Sequence, residues 1–215
     1  MYKLIAFDYD GTLVDTVYFH TELLHHILTK YNKDITRDEI KIIMGKSINE
    51  IFKNKLNEFE FKKCIEEIDN HFKNIPLDFW QYIKVVPNAI STLSNLKSMG
   101  IKIAIVSNSH YELLKESVKR TKLNDVVDIV IGADIKTPMQ KCDRLKETLK
   151  YFNVNAYETL YVGDTSTDIR DAKNIKMHNC LIYNNTSWIN REDISIDDIK
   201  PEFIINDISK LLNIL

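Results

Sequence analysis

Residues 3–8, Lys3-Leu4-Ile5-Ala6-Phe7-Asp8, run directly into Asp8-Tyr9-Asp10-Gly11-Thr12. The first stretch is a short apolar run, which reads as a buried strand, and the second is a turn sequence that ends it. Similar runs recur at 101–107 (IKIAIVS), 126–132 (VVDIVIG), 159–163 (TLYVG), 179–183 (NCLIY) and 203–206 (FIIN). Helix-period segments lie between most of them. In 89–99, Ala89, Ile90, Leu93 and Leu96 share one face, and Gly100 is placed to end the helix. In 142–153, Leu145, Leu149 and Phe152 recur at spacings of four and three. The last segment, DISKLLNIL, is short and amphipathic. Strand alternating with helix predicts crossover units and a parallel sheet covered on both faces.

Residues 16–84 break this rhythm and hold no convincing strand. Val17, Leu24, Ile27, Leu28 and Tyr31 fit one helical face. Thr36-Arg37-Asp38-Glu39 and Ser47-Ile48-Asn49-Glu50 both match the S/T-x-x-E capping box. Phe59, Lys62, Lys63, Glu66 and Glu67 belong to a further long helix. An insertion of roughly 70 residues is too long to be a structureless loop in a compact α/β domain, so it predicts a helical subdomain with its own small core. The expected boundaries are 1–15 and 85–215 for the core and 16–84 for the helical insertion.

Composition narrows the class. The 215 residues are 44% hydrophobic and 28% charged, ordinary values for a globular chain. Lys+Arg 29 against Asp+Glu 31 gives a net charge of −2, which argues against a nucleic-acid partner. No apolar run approaches the ~18 residues of a membrane span. Cys64, Cys142 and Cys180 form no CxxC pair and no disulfide framework. The early Asp8 argues against a signal peptide, and the expected location is cytoplasmic. The chain is expected to act as a monomer or weak homodimer.

Ligands of open α/β sheets collect outside the carboxyl ends of the strands. Three such ends carry reactive groups here: Asp8-Tyr9-Asp10-Gly11-Thr12, Ser107-Asn108-Ser109, and Gly163-Asp164-Thr165-Ser166-Thr167-Asp168. Asp8 and Asp10 read equally well as turn residues when DYDGT is taken alone. With GDTSTD downstream, convergence of Asp8, Asp10 and Asp164 becomes the better reading. Like charges a few Å apart raise each other's pKa, and a hard divalent cation removes that cost. Mg²⁺ suits oxygen ligands in a site that also holds a phosphate.

These residues resemble the haloacid dehalogenase-like hydrolases, in the subgroup that carries a helical cap after the first strand. DYDGTLVDT matches the family's first motif, IVSNS the second and GDTSTD the fourth, and the tail KPEFIINDISKLLNIL is similar to the last strand and helix. The resemblance implies an α/β fold: a Rossmann-like parallel sheet core with helices on both faces plus an inserted all-α cap subdomain. It implies Asp8 as a nucleophile that forms an aspartyl-phosphate. Asp10 would be the general acid and base, on the same side of the extended stretch as Asp8. Mg²⁺ would be held by the Asp8 carboxylate, the Asp10 main-chain carbonyl and Asp164, with Asp168 orienting its waters. Ser107 and Asn108, with Gly11 and Thr12, would contact the phosphoryl group. The family's third motif is a lysine. The usual Lys-Pro-x-Pro is missing, and Lys141, before the helix of Leu145 and Leu149, is chosen over Lys136.

The implied activity is Mg²⁺-dependent hydrolysis of phosphate monoesters of small metabolites, phosphoglycolate-like or sugar-phosphate-like. The alternatives are a phosphomutase and a non-catalytic binding module on the same fold. Caps of this kind supply specificity contacts. Gly45-Lys46-Ser47 opens a cap helix whose free N–H groups suit an anion, with Lys46 adding charge, although a Ser-capped turn explains the same residues. His20, one turn past Thr16, lies near the hinge, where the resemblance implies a substrate-side residue and an ordinary half-buried helix histidine explains it equally well. Phe79, Trp80 and Tyr82 read as cap core.

Overall fold

The computed structural model describes residues 2–30, 35–43, 56–73, 75, 77–134, 139–191 and 195–215. The first apolar run is β1 (Leu4–Phe7), and every residue in it is buried. Alternation along the strand sends Leu4 and Ala6 to one face of the sheet, where they pack with Leu145, Tyr161, Ala172 and Met177. Ile5 and Phe7 go to the other face, with Leu93, Leu96, Leu114 and Val118. Burial on both faces is why the run is apolar throughout rather than alternating.

Five further strands complete a six-stranded sheet: β4 (Lys102–His110), β5 (Ile129–Ala133), β6 (Thr159–Gly163), β7 (His178–Ile182) and β8 (Phe203–Ile205), in the order β5-β4-β1-β6-β7-β8. All its neighbours pair in parallel. Helices α4 (Ala89–Ser98) and α5 (Tyr111–Arg120) cover one face. Helices α6 (Lys141–Phe152) and α7 (Ser166–Asn174) cover the other. This is the α/β architecture expected from the sequence. Register places the site: Phe7 pairs with Ile105 and with Val162, so Asp8, Ser107 and Asp164 leave three adjacent strands at nearly one level.

Between β1 and α4 lie α1 (Val17–Lys30), α2 (Arg37–Ile43), α3 (Glu58–Lys73) and a 3-10 turn, Leu77–Tyr82. Phe19, Leu23, Leu28, Ile40 and Cys64 form their own buried cluster, against which Phe79 and Trp80 pack. The Thr36–Glu39 capping box is present: Thr36 N donates to Glu39 Oε2 at 2.8 Å, and Glu39 N to Thr36 Oγ1 at 3.2 Å. The Ser47–Glu50 box, Ile27's side chain and Tyr31 lie outside the described residues.

Three local expectations are corrected. Lys84–Val85 is a short strand, β3, antiparallel to β2 (Val14–Asp15), where the sequence shows no strand; a two-residue strand leaves no periodicity to read. Ile90 is exposed, and Thr92 takes a buried place on α4 instead. Tyr82 lies largely at the surface against Tyr18, 4.7 Å between ring centroids, rather than in the insertion's core. Cys64, Cys142 and Cys180 take part in no disulfide. Among the described residues no helix is long and apolar enough to cross a membrane.

Close packing at the end of β5 gives a test. A Cβ on Gly132 would lie 2.7 Å from Tyr111 Cα and 2.8 Å from the Ser109 carbonyl, both backbone atoms that cannot step aside. Gly132→Ala is expected to lower unfolding free energy by about 1–3 kcal/mol, read as a lower denaturant midpoint at unchanged m-value.

Candidate active site

Alternation continues past β1. Tyr9 points into the core, where its hydroxyl meets Ser117 Oγ at 2.6 Å, and so its neighbours Asp8 and Asp10 fall on the opposite side of the chain. The turn then closes through Leu13 N and Val14 N, both donating to the Tyr9 carbonyl at 2.9 and 3.1 Å. Gly11 adopts φ +78°, and a Cβ there would lie 2.1 Å from Asp164 Oδ2 and 2.8 Å from Trp188 Cδ1. Only glycine allows the loop to press this closely on both.

Asp164 and Asp168 come from the β6–α7 junction. Thr165 caps α7 in a reciprocal box with Asp168: Asp168 N donates to Thr165 Oγ1 at 3.2 Å, and Thr165 N to Asp168 Oδ2 at 3.0 Å. Asp168 Oδ2 also accepts from Thr165 Oγ1 (2.6 Å) and Asp164 N (3.2 Å). Asp168 Oδ1 accepts from Lys141 Nζ (2.6 Å) and Tyr161 Oη (3.2 Å). Both its oxygens are thus occupied by protein donors. Asp164 accepts from Thr12 Oγ1 at 2.9 Å and from Trp188 N at 2.6 Å, one donor per oxygen.

Lys141 opens α6, and its ammonium reaches Asp8 Oδ1 at 3.0 Å as well as Asp168. Burial opposes the lysine's charge, but Asp168 and Asp8 outweigh it and raise its pKa. Burial pushes the Asp8 carboxyl up; Lys141 opposes this, Asp168 and Asp10 reinforce it, and the balance lies at about 7. Asp164 is driven well above the usual carboxylate range by burial and then by Asp8 and Asp168.

Asp10 behaves oppositely. Burial alone would raise it. The ring of His20 (Nε2 at 2.8 Å from Oδ1), Ser109 Oγ (2.5 Å from Oδ2) and Thr16 Oγ1 (2.7 Å from Oδ1) reverse that and hold it at about 2. Ser107 Oγ is 3.3 Å from the same carboxylate.

Asn108 Oδ1 accepts from Arg144 Nη2 at 2.5 Å, and Arg144 Nη1 donates to the Met139 carbonyl. Arg144 is only 4% exposed, and its Nε finds no partner among the described residues. The structure therefore brings together Asp8, Asp10, Gly11, Thr12, His20, Ser107, Asn108, Lys141, Asp164 and Asp168. Gly45, Lys46 and Lys136 lie outside the described residues. Sequence reasoning missed Ser109, Arg144, Tyr161 and Trp188. Ser109 stood in the quoted SNS triplet, and Arg144 stands three residues after Lys141 on one helix, a usable spacing. Nothing local marks Trp188.

Ligand atoms of Asp8, Asp164 and Asp168 lie within 4.8 Å of one another. With Asp168 fully bonded, Asp8 and Asp164 keep the open oxygen positions. Burial first, and the neighbouring carboxylates second, push Asp8 and Asp164 upward. The donor set is oxygen only, which fits a hard divalent cation.

A parallel α/β sheet with this acid cluster at its central strand ends defines the class. The sequence profile described as haloacid dehalogenase-like hydrolase matches residues 5–182. Pyrophosphatase PpaX of Bacillus anthracis (strain CDC 684 / NRRL 3495) is 25% identical over 214 residues, covering 98% of this chain and 95% of that protein. A solved structure described as a predicted phosphatase from Clostridium acetobutylicum superposes with a TM-score of 0.85 at 18% identity, covering 99% of this chain and 97% of that one. Another, described as a predicted phosphoglycolate phosphatase from Haemophilus somnus 129PT, gives 0.79 at 20% identity, with coverage of 99% and 97%. The chain belongs to the haloacid dehalogenase-like hydrolases.

The raised carboxyls make a pH prediction. A group whose pKa is raised on folding contributes stability that is full at low pH and is lost as pH rises through the folded value, about 7 for Asp8. A cation must displace those protons, so its stabilisation grows over the same window. The Tm increment from millimolar Mg²⁺ is expected to increase between about pH 4 and pH 7. An increment independent of pH would remove Asp8 and Asp164 from the cation site.

Proposed function

We propose that the protein is a Mg²⁺-dependent phosphatase acting on phosphate monoesters of small metabolites through an aspartyl-phosphate on Asp8. The observation that carries this reading is the pairing of two carboxylates, two residues apart, with opposite environments. Asp8 lies against Lys141, and Asp10 lies against His20, Thr16 and Ser109. Contact with an ammonium suits Asp8 to the nucleophile's place, and the cluster of hydroxyl and imidazole partners suits Asp10 to proton transfer.

Asp8 attacks phosphorus, and the alkoxide leaves with a proton from Asp10. Water then attacks the aspartyl-phosphate, and Asp10 takes its proton. The hydrogen bonds that hold Asp10 at about 2 favour the carboxylate form that the second step uses. The first step needs a proton on Asp10, whose Oδ1 lies 2.8 Å from His20 Nε2. Lys141 offsets charge on Asp8 and on the phosphoryl oxygens. Ser107 and Asn108 are placed at the adjoining strand end to contact those oxygens. Mg²⁺ held by Asp8 and Asp164, with the Asp10 carbonyl, would polarise the phosphoryl group and neutralise its charge. The insertion, which carries Thr16 and His20, forms the cap over the site and supplies the specificity contacts.

The PpaX relatives are named pyrophosphatases and one structural neighbour a phosphoglycolate phosphatase. Inorganic pyrophosphate therefore belongs beside phosphoglycolate and sugar phosphates in a substrate panel scored by released phosphate. A phosphomutase would instead give isomerised product and depend on a bisphosphate primer.

Asp8→Asn is expected to abolish phosphate release from an aryl phosphate while leaving the circular dichroism spectrum unchanged. Near-wild-type turnover would remove Asp8 as the nucleophile. Lys141→Ala is expected to lower kcat roughly a hundredfold or more. EDTA should silence turnover and added Mg²⁺ restore it; turnover unaffected by EDTA would refute the metal requirement.

A further inference from the structure

Trp188 lies in the loop after β7, and its two halves serve different parts of the molecule. Its main-chain N–H donates to Asp164 Oδ2 at 2.6 Å, and the next residue, Ile189, donates its N–H to the Asp164 carbonyl at 3.1 Å. Its indole belongs to the apolar cluster of the helical insertion, with Phe19 and Leu23, and meets the His20 ring edge-on at 5.6 Å between centroids. The ring also packs on Gly11, where a Cβ would come within 2.8 Å of Trp188 Cδ1. Trp188 is 8% exposed, and its indole N–H has no acceptor among the described residues. A buried donor without a partner is rarely retained. The residue keeps its place through the shape and area of the ring, wedged between the insertion and the first loop.

We propose that Trp188 is a positioning residue that ties the helical insertion to Asp164, so that the seating of the ring sets the carboxylate's readiness for a cation. This rests on the reading of Asp8 and Asp164 as cation ligands. Thr12 fixes one Asp164 oxygen from the first loop, and Trp188 fixes the other from the loop after β7. The main-chain donor can stay at 2.6 Å only while the loop is anchored, and the indole is its apolar anchor. Groups that orient a ligating carboxylate affect metal affinity by about 10–100-fold when lost. Coupling of this kind is reciprocal: cation binding tightens the seat of the indole as the seated indole favours cation binding.

The test is Mg²⁺ titration of the full-length, chelator-treated protein, read by melting temperature rather than turnover. Wild type is expected to be stabilised by Mg²⁺ and Asp164→Asn not. Trp188→Ala is expected to need about tenfold or more Mg²⁺ for half the stabilisation, while Trp188→Phe, which keeps an aromatic anchor, stays near wild type. Trp188→Ala that melts earlier but keeps the wild-type Mg²⁺ midpoint has a structural role only and overturns the proposal. The sequence has two tryptophans, so Trp80→Phe leaves Trp188 as sole reporter even if Trp188→Ala does not fold. Its emission is expected to change on Mg²⁺ addition; unchanged emission overturns the proposal. Absence of any Mg²⁺ stabilisation in wild type refutes the cation reading itself, and this inference with it.

Discussion

Lys141 Nζ stands 3.0 Å from Asp8 and 2.6 Å from Asp168, with all three side chains buried. A buried ion pair is tolerated only where geometry is good and the remaining lone pairs are satisfied. Three segments are arranged to meet that condition. Helix α6 must begin at the carboxyl edge of the sheet, so that its first residue reaches β1. Helix α7 must begin with a capping box that turns Asp168 back over its own first turn. Tyr161 on β6 must spend its hydroxyl on Asp168 and on the Val106 carbonyl. Removing the ammonium would leave Asp8 and Asp168 without the cation that touches them both.

The neighbouring carboxylate is served from the other side. Asp10 is bonded by Thr16 and His20, which enter with the helical insertion, and by Ser109, within the stretch between Val106 and His110 where the β4 register shifts. Asp8 therefore answers to the sheet, and Asp10 to the sheet and the insertion jointly. The pKa values follow this division, about 7 and about 2, although the residues are two apart in the chain. Proximity in sequence brings the two acids to one edge; their different partners make them chemically distinct.

The strands were legible as six short apolar runs, unbroken in β1, β6 and most of β4 and β7 because both faces of the sheet are covered there, while the edge strands β5 and β8 are only partly buried. Asp8, Asp10 and Asp164 were legible because two acid-bearing strand ends, DYDGT and GDTSTD, occur in one chain, whereas DYDGT alone reads equally well as a turn. The ribbon at 14–15 and 84–85 was not, since pairing between residues some seventy apart leaves no local pattern. Arg144 and Trp188 escaped for a similar reason. A buried guanidinium bonded to Asn108, or an indole shared between two parts of the molecule, is defined by its surroundings rather than its neighbours in sequence.

By itself the sequence determined the alternation of strand and helix, the place of the helical insertion and the acids at the carboxyl edge. These depend on hydrophobic period and on turn chemistry, which act over a few residues. Tertiary structure alone decided which oxygen faces which donor: that Asp168 is fully bonded while Asp8 and Asp164 keep open positions, and that Asp10 is held ionised. Charge and hydrogen-bond energies depend on distances across space and on exclusion of water, and those are created only when β1, β4, β6 and the insertion close around the same few atoms.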